Sequence, residues 1–398
     1  MINCSDATPN VDVWPTPIQP INLLALLPIF APATGGCAEY GRFICDHVEP
    51  LDIVKKLTLI TESWPGEPRT ATIHSVSGSG SILLERQLTR FLSLSERTLY
   101  RYVAFARQNC DLVNFLRTLR NEAHTTVLLI HGAFFFHPSL LAPTLRRLKK
   151  NTGRKLVVVL DARDPAIPPK RLAELDFLDA AISCGTRITR LLEQSLQPDS
   201  HVIEIPVPLD YYQLREQDLE NVLTENKLKP QGYIFSPNGI QDHKQFPLIF
   251  DTWLKLVQNN APLDLVVAGN TSDWRARYQT IHSTRGRLIN LGRQPNFTVR
   301  ALMQSAAAVI NPSRVEGLPR SCLEALSCET PTLLPPGIPE FADLDQQFIA
   351  ESDDPGQLAR QLAYLIQHRL IAPYNVRRHD ARHISWNYAQ LLTKLGGE

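Results

Sequence analysis

No two of the seven cysteines in this 398-residue chain stand in a C-x-x-C pair. Cys4, Cys37, Cys45, Cys110, Cys184, Cys322 and Cys328 are scattered and odd in number. That excludes a zinc ribbon, offers no disulfide framework, and fits reduced thiols in a cytoplasmic protein. Long apolar runs are missing as well. The longest early one, Ile21–Ala31, is too short to span a bilayer and is broken by Pro28. Asp6 and Asp12 precede it but no Lys or Arg does, so it lacks the basic head of a signal peptide and reads as a buried strand. Neither sign of charge is in excess: 41 Lys and Arg against 40 Asp and Glu leave +1, which excludes nucleic acid as the main partner. Glycine is scarce beside proline, 19 against 30, so rigid loops are expected in place of flexible linkers. H-E-x-x-H and G-x-S-x-G do not occur, and Gly78-Ser79-Gly80-Ser81 has neither a P-loop lysine nor the third glycine of a dinucleotide fingerprint. Without secretion, the sequons at Asn270 and Asn296 carry no weight.

What remains is ordinary globular material, 43% hydrophobic and 20% charged, long enough for two or three cores. Residues 1–20 hold four prolines and little apolar content, so a poorly ordered leader is expected there. Apolar runs then recur at Ile21–Leu27, Leu57–Ile60, Val127–Ile130, Leu156–Leu160, Ala180–Ile182 and Val202–Ile205. Amphipathic stretches at Cys37–Val48, Leu140–Lys149 and Arg187–Ser195 lie among them. A polar stretch, Gln213–Gln231, interrupts the pattern. It restarts with strands at Tyr233–Ser236, Leu263–Ala268, Leu288–Leu291, Ala308–Ile310 and Thr332–Leu334, and helices at Phe246–Gln258, Val299–Ser305 and Cys322–Ser327. Strands alternating with helices predict two α/β domains, 21–212 and 213–373, each with a parallel sheet. Ligands in such sheets sit beyond the carboxyl ends of the strands.

One loop after a strand stands out: Asn311-Pro312-Ser313-Arg314-Val315-Glu316-Gly317-Leu318-Pro319, leading into a helix at Arg320 that carries Glu324. Gly317 removes side-chain bulk, and the backbone N–H groups around Leu318 to Ser321 lie at a helix N-terminus, which favours an anionic or hydroxyl-rich ligand. Glu316 and Glu324, with seven residues between them, can accept hydrogen bonds from sugar hydroxyls.

This stretch resembles the Glu-x7-Glu signature of the retaining GT-B glycosyltransferases of family 4. Pro312-Ser313, Glu316-Gly317, Leu318-Pro319, Leu323-Glu324-Ala325 and Thr330-Pro331 all fall in its pattern, as do Leu291-Gly292, Gly337-Ile338-Pro339-Glu340 and Ser385-Trp386. The resemblance implies two facing Rossmann-like domains with a donor cleft between them. It makes 21–212 the acceptor domain and 213–373 the donor domain, with a C-terminal helix, 374–398, packing back on the first. It implies that Glu316 contacts the donor sugar and Glu324 the ribose. Lys244 faces the diphosphate, and the arginine that usually accompanies it falls on Asn238 or Gly239, so a compensating cation would be Arg293 or Arg314. Leu291 and Gly292 lie near the base. Gly317, Leu318 and Pro319 line the turn. Gly35 and Gly36, between strand and helix, let the backbone approach phosphate. In place of the family's histidine stand Asp161 or Asp164, with His131 a second candidate.

The implied activity is transfer of a hexose-type sugar from a nucleotide-sugar donor, UDP-linked or GDP-linked, with no metal and no other cofactor. The acceptor is a glycan, a lipid-linked molecule or a small molecule. The rivals are a catalytically weak sugar-nucleotide-binding scaffold and an epimerase or phosphorylase on the same fold. Asp343-Leu344-Asp345 has the form of a metal site but follows a proline-rich loop. A basic segment, Leu140–Lys155, is a candidate for peripheral contact with the inner face of a membrane.

Overall fold

Strands form where Leu, Ile and Val run together, because both faces of each sheet are covered and a continuous apolar run loses nothing by pointing both ways. In the computed structural model, the residues described are 19–27, 36–61, 72–75, 124–132, 138–151, 156–163, 172, 175–196, 201–210, 213–259, 262–270, 278 and 286–397. Residues 1–18, and with them nearly all of the expected leader, lie outside that set, as do Gly35, the 78–81 turn and Asp164.

The first sheet comprises β1 (Ile21–Leu27), β2 (Val54–Thr61), β3 (Thr72–Ser75), β4 (Thr126–His131), β5 (Leu156–Ala162), β6 (Ala180–Ser183) and β7 (His201–Glu204). Their order is β3-β2-β1-β4-β5-β6-β7, parallel throughout, with Leu23 beside Leu57 on one side and Val127 on the other. The second sheet comprises β8 (Tyr233–Ser236), β9 (Asp264–Ala268), β10 (Leu288–Gly292), β11 (Ala308–Ile310) and β12 (Thr332–Leu333). It runs β10-β9-β8-β11-β12, also parallel. Each sheet therefore reverses its winding beside its first strand, which opens a crevice at the carboxyl ends of β1/β4 and of β8/β11.

The helices are α1 (Gly36–Phe43), α2 (Pro138–Asn151), α3 (Thr186–Ser195), α4 (Glu216–Glu225), α5 (Phe246–Asn259), α6 (Asn296–Ser305), α7 (Arg320–Ser327), α8 (Pro355–His368) and α9 (Ala381–Gly397). Alternate residues of β1 enter different cores. Leu23, Ala25 and Leu27 pack with Tyr40 and Phe43 of α1 and with Ile384, Tyr388 and Leu392 of α9. Leu24 and Leu26 pack with Leu145 and Leu148 of α2. The last helix is thus part of the first domain's core.

The sequence reading missed some elements. Helix α4 lies inside the polar stretch because only Val222 and Leu223 of it are buried. Helix α8 begins where Asp354 accepts from the N–H groups of Gly356 and Gln357, with Pro355 in its first turn, a capping signal the apolar pattern alone does not carry. The expected helix Cys37–Val48 is α1 followed by a π-helical turn, Ile44–Val48. Strand β3 was not expected at all.

The two chain crossings between the domains are tied together. Leu209 N–H donates to His379 O at 2.7 Å, and Ala381 N–H donates to Leu209 O at 2.9 Å. His379 is buried between Val207 O and the Tyr374 hydroxyl, each 3.0 Å away, and burial pushes its pKa down to about 4. Glu340 of the second domain docks on the first: its Oε1 accepts from Thr186 N–H, 2.6 Å, at the start of α3. A helix N-terminus is a favourable place for a carboxylate. Gly185 leaves room for this contact, since a Cβ there would lie 2.7 Å from Glu340 Oε1 and the carboxylate would have to shift.

Among the described residues, no helix is long and apolar enough to cross a membrane. On α2, Arg146 pairs with Asp176 and Lys149 with Asp179, while Arg147 and Lys150 face solvent.

Candidate functional site

A cleft of about 350 Å³ opens where β8, β9, β10 and β11 end. Lys244, Glu316, Glu324, Asn238, Arg293 and Pro319, all singled out from the sequence, line it. Asn238 stands two residues beyond the end of β8. Lys244 sits on a short 3-10 turn, Asp242–Lys244, which closes on Gln245 in the left-handed region (φ 59°) before α5 begins. Glu316 lies on the loop after β11. That loop is held from below by Asn311, fully buried, whose side chain accepts Ser313 N–H at 3.1 Å and donates to Cys322 Sγ at 3.3 Å. Glu324 lies one turn into α7.

The charges meet. Lys244 Nζ donates to Glu316 Oε1 at 2.8 Å, with side chains only 24% and 13% exposed. Glu324 Oε1 accepts from Arg320 Nε at 2.8 Å and from Asn296 Nδ2 at 3.4 Å. Helix α7 has no side-chain cap, because Pro319 precedes it. Among the described residues, nothing accepts the backbone N–H of Arg320 or Ser321. Such a helix end, next to two lysine or arginine side chains, suits an anion.

Glycines shape the rim. At Gly239, φ is +71° and a Cβ would fall 2.0 Å from Asn270 O, so this position cannot carry an arginine or any other side chain. Gly292 (φ +64°) ends β10, and its carbonyl accepts Gly269 N–H at 2.7 Å. Gly317 makes room for protein and not for ligand: a Cβ there would lie 2.9 Å from Arg163 O in the first domain. Leu318 is buried in the main core. Of the two arginines considered as compensating cations, Arg293 reaches the cleft, with its Nε on Asn270 Oδ1. Arg314 turns away to Asp353.

Two charged cleft residues were not foreseen. Glu39, in the first turn of α1 after Gly36, reaches across from the first domain, and Arg320 meets it at 3.9 Å. An acid in the opening turn of a helix after Gly35-Gly36 was the available signal. Asp343 and Asp345 are exposed on a turn, where Asp345 caps Gln347 N–H at 3.0 Å.

His131 and Asp161 occupy the ends of β4 and β5 but are not open to the cleft. Asp161 is fully buried and His131 is 5% exposed, with Nδ1 to Oδ2 at 2.7 Å. Arg163 Nε contacts both oxygens of Asp161 at 3.0 and 3.2 Å. The guanidinium also lies over the Tyr40 ring and donates to Tyr388 at 3.3 Å. Tyr40 and Tyr388 hydroxyls are 2.7 Å apart. Burial alone would raise the Asp161 pKa, but Arg163 and then His131 overcome it and hold the carboxyl at about 2. The network joins β4, β5, α1 and α9 just behind the loop that touches Gly317.

Residues 221–382 match the family described as glycosyl transferases group 1, a stretch that contains Lys244, Glu316 and Glu324. No curated protein matches the chain. Among solved structures it is similar to HepE of Anabaena in complex with UDP and glucose, with a TM-score of 0.64 and 13% identity over 94% of this chain and 99% of that one. It is also similar to an α,α-trehalose-phosphate synthase (UDP-forming) of Burkholderia xenovorans in complex with glucose 6-phosphate, at TM-score 0.61 and 12% identity over 93% and 100%. A trehalose-6-phosphate structure from E. coli bound with UDP-2-fluoro glucose gives 0.60 and 13% over 94% and 99%. The chain has the GT-B fold of two Rossmann-like domains. The family match covers most of the second domain.

Proposed function

We propose that this protein is a metal-independent glycosyltransferase that moves a hexose-type sugar, with retention, from a UDP-sugar to a hydroxyl acceptor. The observation that carries the reading is the convergence of Lys244, Glu316, Glu324 and the uncapped start of α7 on one cleft at strand ends. UDP is the favoured nucleotide because HepE and the E. coli structure hold UDP or a UDP-sugar analogue, and GDP is the alternative. The chemistry asked of the protein is electrostatic. As the bond to the sugar breaks, negative charge gathers on the departing diphosphate, and a lysine and backbone amides already aimed at it stabilise that charge without reorganising. The departing phosphate oxygen is then the base nearest the incoming hydroxyl, which permits attack on the same face.

The two glutamates take different parts in this scheme. A ribose contact is equal in ground and transition states, so its loss raises the donor KM. A sugar contact strengthens as the ring gains positive charge, so its loss lowers kcat. Glu316→Gln is expected to reduce kcat by about tenfold or more, the scale of one hydrogen bond to a charged group. Glu324→Gln is expected to weaken free nucleoside diphosphate, which has a ribose but no sugar. Steady-state kinetics with calorimetric titration of the diphosphate read both. If Glu316→Gln weakened the free diphosphate as much as Glu324→Gln does, the two roles would be wrongly assigned. Tight donor binding with no transfer and no hydrolysis by the wild type would make the protein a sugar-nucleotide-binding scaffold.

A further inference from the structure

We propose that Arg320, at the first position of α7, is the second cation that grips the donor diphosphate, and that it does so by exchanging partners. The inference rests on the nucleotide-sugar reading above and adds a phosphate-binding residue to it. In the structure the Arg320 guanidinium lies between two carboxylates, 2.8 Å from Glu324 Oε1 and 3.9 Å from Glu39 Oε2, with its side chain 18% exposed on the cleft wall. Lys244 is tied up in the same way by Glu316. Both cations thus already hold carboxylates of the same cleft.

Each of the two carboxylates beside Arg320 keeps a partner when the guanidinium moves. Glu39 retains Arg42, which it already contacts, and Glu324 retains Asn296 Nδ2. Transfer of Arg320 to phosphate oxygens therefore leaves neither of these carboxylates without a partner, the condition under which an exchange of ion pairs costs little. It also frees Glu324 to accept hydroxyls from the ribose. Arginine suits the task because its planar fork can hold two phosphate oxygens at once, and the N-terminus of α7 beneath it adds favourable field. Arg293 is the lesser candidate, since it is exposed and a partly buried charge is screened less. The same wall contains a further unused donor, Asn238 Nδ2, which is buried with no hydrogen-bond partner. A bound phosphate offers acceptors to such a group, which is otherwise costly to leave unpaired.

The test is calorimetric titration of the wild type, Arg320→Gln and Arg320→Lys with UDP and GDP and with their nucleosides, uridine and guanosine. Arg320→Gln is expected to weaken the diphosphate by about tenfold to a hundredfold, the range for a charged hydrogen bond, and the matching nucleoside by no more than about threefold. Arg320→Lys, which keeps charge but loses the fork, should fall between. An unchanged ratio of diphosphate to nucleoside affinity in both variants would overturn the inference, because a residue that only positions Glu324 would alter both ligands alike. Should Arg320→Gln fail to fold, Arg320→Lys decides on the same ratio. If the wild type binds neither diphosphate, the nucleotide-sugar reading falls first and this inference with it.

Discussion

Lys244→Ala is expected to lower kcat by about a hundredfold to a thousandfold, the loss seen when one preorganised donor to a developing negative charge is removed. The cost has two sources. The donor to the leaving diphosphate disappears, and Glu316, paired with Lys244 at 2.8 Å, is left as an uncompensated carboxylate in the same cleft. That second effect predicts coupling. Adding Glu316→Gln to Lys244→Ala should cost less than it does in the wild type, because the stranded charge goes with it. Asp343→Ala, on an exposed turn away from the cleft, should leave activity unchanged. Equal and small effects from Lys244→Ala and Asp343→Ala would remove Lys244 from the reaction.

Asp161→Asn carries the largest expected effect on stability, about 3–5 kcal/mol, because it strips the counter-charge from Arg163 inside the first domain. Asp161 is fully buried, Arg163 is 17% exposed, and both oxygens of the carboxylate contact the guanidinium. The sign of the pH dependence follows from the direction of the shift. The folded pKa, about 2, lies below the ordinary 3.8, so the contribution is complete above roughly pH 4 and is lost as pH falls toward 2. Chemical denaturation of the wild type and Asp161→Asn between pH 7 and pH 2 reads both effects. The difference between the proteins should shrink across the acid range. The double variant Asp161→Leu with Arg163→Met, which removes both charges, should be more stable than Asp161→Asn alone. If Asp161→Asn were near neutral, the network would not hold β4, β5, α1 and α9 together.

Much of this was legible because fold and site are written in different parts of the chain. Apolar runs such as Val127–Ile130 and Leu263–Ala268 carry the sheets, and the segment from Asn311 to Leu326 carries the cleft's acidic pair and helix start. What escaped was long-range. Nothing local to Glu39 says that α1 will bring it to Arg320, more than two hundred and fifty residues on, since that contact is made by the packing of two domains. Gly317 reads as a ligand-facing glycine until Arg163 O is found against it. Gly239 explains itself only once Asn270, from the next strand's loop, lies across it. Asp161, at a strand end, stands where the resemblance puts the family's histidine. A strand end also faces the neighbouring strand and the helices above, and here His131 and Arg163 take up the carboxylate first.

The most direct measurement is titration of the purified protein with UDP and GDP in EDTA, followed by thermal unfolding at saturation. Binding of one of them without metal, with a stabilisation of about 2.7 kcal/mol at a hundred times its dissociation constant, is the predicted result. No binding of either nucleotide, or binding that appears only when Mg or Mn is restored, would contradict a metal-free donor site built on Lys244, Glu316, Glu324 and the start of α7.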